Sequence, residues 1–134
     1  MNKKAPSLKI VESKQKNLSQ AGLNAFFKLA QAWALNLKEQ MDLLGLNATS
    51  TYYQWKKQAP KELSRDTLER LSHLLGIYKA LQILFPDPKV ADAWVKKSNQ
   101  APLFEGLSAL EKMRQSLADL YQVRAYLDAQ RGAW

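Results

Sequence analysis

Residues 37–57 read LKEQMDLLGLNATSTYYQWKK, and the fold turns on them. Leu37, Met41 and Leu44 recur at the four- and three-residue spacing of a single helical face. Gly45 follows at once, where a left-handed C-terminal cap favours glycine. After the short connection of Leu46, Asn47 and Ala48, a second helix is predicted from about Thr49 to Lys57, with Tyr52 and Trp55 turned toward a core; Pro60 closes the unit. If Met41, Leu44, Leu46, Tyr52 and Trp55 pack the two helices together, helical geometry sends Thr49, Ser50, Tyr53, Gln54, Lys57 and Gln58 outward. Two short helices, a tight turn and polar residues at the start of the second helix make the pattern of a helix-turn-helix. Counted from Gly45 to Tyr52 and Trp55, this turn is one residue longer than in most such sequences.

Outward from that core, nearly everything reads as helix. Upstream, in residues 25–35, Phe26, Phe27, Leu29, Ala30, Trp33 and Ala34 recur at three- and four-residue spacing. Downstream, Ser64 is an N-cap candidate, with Asp66 and Glu69 placed to complement the helix dipole. Leu68, Leu71, Leu74, Leu75, Tyr78, Leu81, Leu84 and Phe85 then form the stripe of one long helix ending at Pro86, and we expect that helix to supply part of a homodimer contact. Val90, Ala91, Trp94 and Val95 fit a short helix after Pro88, and residues 98–106 a loop. Ser108 and Glu111 make a capping box opening a helix over Leu110, Met113 and Leu117; a last helix carries Leu120, Val123 and Leu127 up to Gly132. The expected architecture is all-α: a basic flexible tail over 1–19, a helix-turn-helix domain over 20–62 and a helical partner-binding and dimerisation domain over 63–134.

Composition narrows the function. The 134 residues hold no cysteine and one histidine, which excludes a disulfide scaffold, a thiol nucleophile and thiolate-ligated metal centres. His73 lies within the long helix with no second His or Cys to join it, and reads as an ordinary helical histidine. Glu111, Asp119 and Asp128 are scattered among Arg114, Arg124 and Arg131 as surface pairs rather than as an acid and base. No phosphate-cradling glycine loop is present, so we expect no enzyme, no cofactor and no metal. The longest apolar runs are only a few residues and the basic N-terminus leads into no signal-peptide core, so a cytoplasmic protein without a membrane span is expected.

The net charge of +8 is unevenly spread. Residues 1–60 carry nine lysines against three acids, and residues 61–134 eleven Lys and Arg against nine. The polyanion implied by the first half is DNA. Thr49 and Ser50 are short enough to let a helix N-terminus enter a groove, Gln54 suits a bidentate contact to adenine, and Lys56, Lys57 and Lys61 suit phosphates, with Tyr53 and Gln58 beside them. The competing reading of this face is a three-helix packing unit with a solvated polar surface. The lysine-rich first nineteen residues read as a solvated tail or as a basic arm on DNA.

Larger motifs carry a resemblance. Residues 63–81 read LSRDTLERLSHLLGIYKAL; Phe85, Trp94, Asn99, Pro102, Leu103, Phe104 and Gly106 follow, and then residues 123–129 read VRAYLDA. Together these are similar to the MbcA/ParS/Xre antitoxin family, over roughly residues 20–134, and residues 51–56 resemble that family's recognition helix. The resemblance implies a type II antitoxin with an N-terminal helix-turn-helix and a helical domain that pairs with a RES-domain toxin consuming NAD. It implies repression of its own operon by DNA binding, and a homodimer or a higher hetero-oligomer with the toxin. It also implies that the C-terminal end approaches the toxin's NAD-binding cleft, which carries over here to Arg131, Gly132, Ala133 and Trp134, supported by Arg124 and Tyr126. The bland reading of that end is a frayed terminus. This chain departs from the family pattern at Ala109, where a proline is usual, and at Ser116. A stand-alone helix-turn-helix regulator without a toxin, and a purely structural helical adaptor, are the alternatives.

Overall fold

A computed structural model of the chain describes residues 8–132, and these are helical apart from connections. Helix α1 (Leu8–Ala32) is followed by α2 (Leu37–Leu44), α3 (Thr49–Lys57), α4 (Arg65–Leu84), α5 (Pro88–Ala93), a 3-10 turn (Trp94–Lys96), α6 (Ala109–Met113) and α7 (Leu117–Arg131). One hydrophobic cluster runs from Leu23 and Phe26 in α1, through Leu74 and Ile77 in α4, to Val123 and Leu127 in α7. The central element is α4, which packs against α1, α2, α5 and α7.

Helix α1 starts at Leu8, inside the stretch read as a flexible tail, and runs unbroken to Ala32. No Pro or Gly lies between Leu8 and Ala21, and a helix nucleated by the packed stretch from Leu23 to Trp33 extends at one hydrogen bond per residue. Lys14, Asn17 and Leu18 on this extension are exposed.

Two helix ends are closed by the same device on different residues. At the end of α2, Gly45 has φ +73°, its N–H donates to the Asp42 carbonyl, and the Leu46 N–H donates to the Met41 carbonyl at 2.9 Å. This is a Schellman closure with glycine in the left-handed position. At the end of α1, Ala34 N–H donates to Gln31 at 3.0 Å and Leu35 N–H to Ala30 at 2.9 Å, but the left-handed residue is Ala34, with φ +53°. A Cβ makes that conformation costly, so the surrounding structure must hold it.

Helix starts follow local chemistry. Asn36 and Glu39 form a capping box on α2, as do Ser108 and Glu111 on α6. Ser64 caps α4, Asp87 caps α5, and Ser116 caps α7. The cap at Ser116 corrects one expectation: Leu117 opens α7 rather than ending the helix over Leu110 and Met113. The stripe on α4 is also rotated from its expected position. Ile77 and Ala80 are buried while Leu68 is 45% exposed, because α4 is packed between α1 on one side and α7 on another and its buried face centres on Leu74 and Ile77. The loop over residues 98–108 is held by Asn99, whose carboxamide oxygen accepts from Ala101 N–H and whose backbone pairs with Gly106 and Leu107. Phe104 anchors it in the core, edge-on to Trp94 and Tyr126.

Candidate nucleic-acid interface and C-terminal groove

Helices α2 and α3 meet through a buried polar clamp. The Tyr52 hydroxyl donates to Gln40 Oε1 at 2.7 Å, and Gln40 Nε2 donates to the Leu35 carbonyl at 3.0 Å. Tyr52 is also edge-on to Phe27 of α1, which fixes the rotation of α3 about its own axis. Buried polar groups are tolerated when fully bonded, and this pair sets one register for the two helices. Gln40 was missed in the sequence, although it lies three residues after Leu37 and four before Leu44, on their face.

With Tyr52 inward, Thr49, Ser50, Tyr53, Gln54 and Lys57 line the outer face of α3, and Gln58 and Lys61 follow it in the exposed connection. Lys56 is set apart: its ammonium lies 4.7 Å from the centroid of the Phe27 ring, a cation–π contact on the flank toward α1. The start of α3 differs from those of α2, α4, α5, α6 and α7, for its N-cap is Ala48, which offers no side-chain acceptor; its first turn, like that of α5, holds no acid. Backbone N–H groups left without a side-chain cap, at the positive end of a helix, suit an anion.

The second feature lies where α7 crosses α4. Arg124 lies flat over Gly76, where a Cβ would stand 2.6 Å from its Nε and Cζ. Its Nη1 donates to the Ser72 carbonyl at 3.2 Å, and Nε lies 3.6 Å from Asp128. His73 and Tyr121 meet edge-to-face beside it, and with Ala125 and Asp128 they line an open groove that continues to Arg131 and Gly132. Burial, and then the Arg124 charge, push the His73 pKa below its ordinary value against the opposing pull of Glu69.

Two matches to known families divide the chain between these features. Residues 14–76 match the antitoxin Xre-like helix-turn-helix domain, and residues 80–132 match the antitoxin Xre/MbcA/ParS C-terminal toxin-binding domain. The chain belongs to the Xre/MbcA/ParS antitoxin family. The antitoxin is also 50% identical over 113 residues to the Uncharacterized protein y4oB of Sinorhizobium fredii, across 84% of this chain and 85% of that protein. No solved structure shows a significant match. The two matches join within α4, so a single helix serves both halves of the antitoxin.

The residues expected at the antitoxin's partner-facing end are only partly brought together. Arg124, Arg131 and Gly132 share one groove with Asp128. Tyr126 is two residues from Arg124, about 200° around the helix, and stands on the opposite flank of α7 against Phe104, with Leu84, Phe85 and Trp94 nearby. Ala133 and Trp134 lie outside the described residues. Among the described residues, no helix is long and apolar enough to cross a membrane.

Proposed function

We propose that the antitoxin neutralises a RES-domain, NAD-consuming toxin by direct binding through its second half and represses its own operon through α2 and α3. The observation that carries this reading is the pairing, on one chain, of a toxin-binding domain with an outward polar helix whose N-terminus is uncapped. In this reading Gln54 and Tyr53 read base edges, Thr49 and Ser50 allow close approach, and Lys57, Gln58 and Lys61 hold phosphates, with Lys56 acting mainly through Phe27. Toxin capture uses the groove of Arg124, Arg131 and Gly132 together with the C-terminal residues Ala133 and Trp134, while Tyr126 contributes by packing α7 onto Phe104. A homodimer would set two copies of α3 on successive half-sites about one turn of DNA apart. Inhibition needs no chemistry of its own, since occupying the toxin's cleft is enough.

The test is co-expression with a RES-domain toxin from the same genome, together with mobility shifts on the antitoxin's own promoter. Rescue that weakens on deleting residues 131–134 while the mobility shift persists supports both halves of the reading. Unchanged rescue removes the C-terminal contact, and absence of any shift removes the repressor role.

A further inference from the structure

A cleft beside the start of α2 combines cations from the second half of the chain with backbone of the first. It is lined by Ala32, Trp33 and Ala34, and by Lys89, Asp92, Ala93 and Lys96. The Lys96 ammonium donates to the carbonyl of Ala34, the alanine held in the left-handed conformation. Lys89 and Lys96 are exposed, and Lys96 spends one of its three donors on Ala34. Asp92 is hydrogen-bonded by Gln82 Nε2 at 2.9 Å, and its single charge leaves the lining with a net positive charge. Trp33, which walls the cleft, is 1% exposed, and its indole N–H has no protein acceptor.

The position of this cleft gives it a meaning. Ala34 lies three residues before Leu37, where α2 begins. In a helix-turn-helix the first helix of the motif crosses the DNA backbone while the second enters the groove, so the segment leading into α2 runs beside phosphates. A cationic cleft there suits a phosphate contact.

We propose that the toxin-binding half of the antitoxin takes part in operator binding, through a DNA-phosphate site formed by Lys89 and Lys96 against the Trp33–Ala34 turn. The site rests on the helix-turn-helix reading above and adds to it that α5 and the following 3-10 turn touch the same DNA. Because one element would then serve both the DNA and the fold of the toxin-binding half, removal of that half weakens operator binding even when α2 and α3 are intact.

The experiment measures binding of the full-length antitoxin to a duplex carrying its own promoter region and to a scrambled duplex, across a salt series. Each lost phosphate contact lowers the slope of log K against log salt by about 0.9, so Lys89→Ala/Lys96→Ala should lower it by nearly two and weaken both duplexes alike. Because Lys96 also bonds Ala34, Lys89→Ala alone is the second variant, expected to lower the slope by about 0.9 without moving the melting temperature. Capture of the RES toxin should be unchanged in both. An unchanged slope in these variants, while Lys57→Ala lowers it, overturns the site and leaves the helix-turn-helix reading standing. Loss of toxin capture with operator binding intact also overturns it and assigns the cleft to an acidic partner surface. Wild-type binding that is insensitive to salt sinks both readings together.

Discussion

Arg114, at the C-terminal end of α6, grips Asp42 of α2 with two nitrogens, Nη2 at 2.8 Å and Nε at 2.9 Å, and so ties the toxin-binding half to the helix-turn-helix. Asp42 also receives the Lys38 ammonium at 2.9 Å, and its backbone carbonyl accepts from Arg70 Nη1 at 3.4 Å. Burial alone would raise the Asp42 pKa, but the hydrogen bonds and charges of Lys38 and Arg114 outweigh it and hold the carboxyl below its ordinary value. Both Arg114 nitrogens converge on Oδ2 while Lys38 takes Oδ1, an arrangement that uses two guanidinium donors where a lysine would have a single ammonium.

A double-mutant cycle on Asp42→Ala and Arg114→Ala should therefore give a coupling of about 1 kcal/mol in urea unfolding, larger than for an exposed pair such as Arg65 and Glu69. Arg114→Lys should recover only part of it. A coupling no larger than that of the exposed pair would show that the contact between the halves carries no energy.

Stability should fall in two steps as pH drops. The His73 pKa lies below 6.5 in the folded chain, so from about pH 6.5 downward the unfolded chain takes up a proton that the folded chain resists, and stability declines until the folded value is passed. Asp42 and Asp119 have lowered pKa values, the latter through Ser116 and Lys112, so their stabilisation is present above 3.8 and is lost as pH falls through their folded values. Denaturant titrations between about pH 7.5 and 5 should show the first step in the wild type and not in His73→Gln.

Ala34→Gly should stabilise the antitoxin by about 0.5–1 kcal/mol, because relief of a left-handed alanine exceeds the extra freedom that glycine brings to the unfolded chain. Gly45→Ala should do the reverse, by about 1–2 kcal/mol, since its Cβ would also meet Arg70 Nε at 2.8 Å. Melting temperatures of the two variants moving in the same direction would refute the shared closure.

Gly76→Ala separates position from stability. The new methyl displaces the flexible end of Arg124, while alanine gains helix propensity of about 1 kcal/mol over glycine. The expected result is a melting temperature near that of the wild type together with weaker toxin capture, measured by co-purification with the toxin. Full capture by this variant would show that Arg124 need not lie across α4.

The sequence by itself determined where most helices begin and end. Gly45, Ser64, Ser108 and Glu111 act on backbone groups within a few residues, so the end of α2 and the starts of α4 and α6 were legible locally. The outward face of α3 followed from the same logic once Tyr52 was taken as buried. The extension of α1 to Leu8 was less legible, because the apolar pattern that marks a helix fades where burial ends, while hydrogen bonding continues. Only the tertiary structure decided which distant groups meet: Asp42 with Arg114 across 72 positions, Arg124 over Gly76, Lys96 on the Ala34 carbonyl, and Lys56 on Phe27. The parting of Tyr126 from Arg124 follows from helical spacing alone, and the packing of α7 decided only which neighbours each meets. Local caps are written in neighbouring residues, whereas these contacts depend on how far each helix is rotated when α4 takes its place in the core, and no short window of sequence holds that angle.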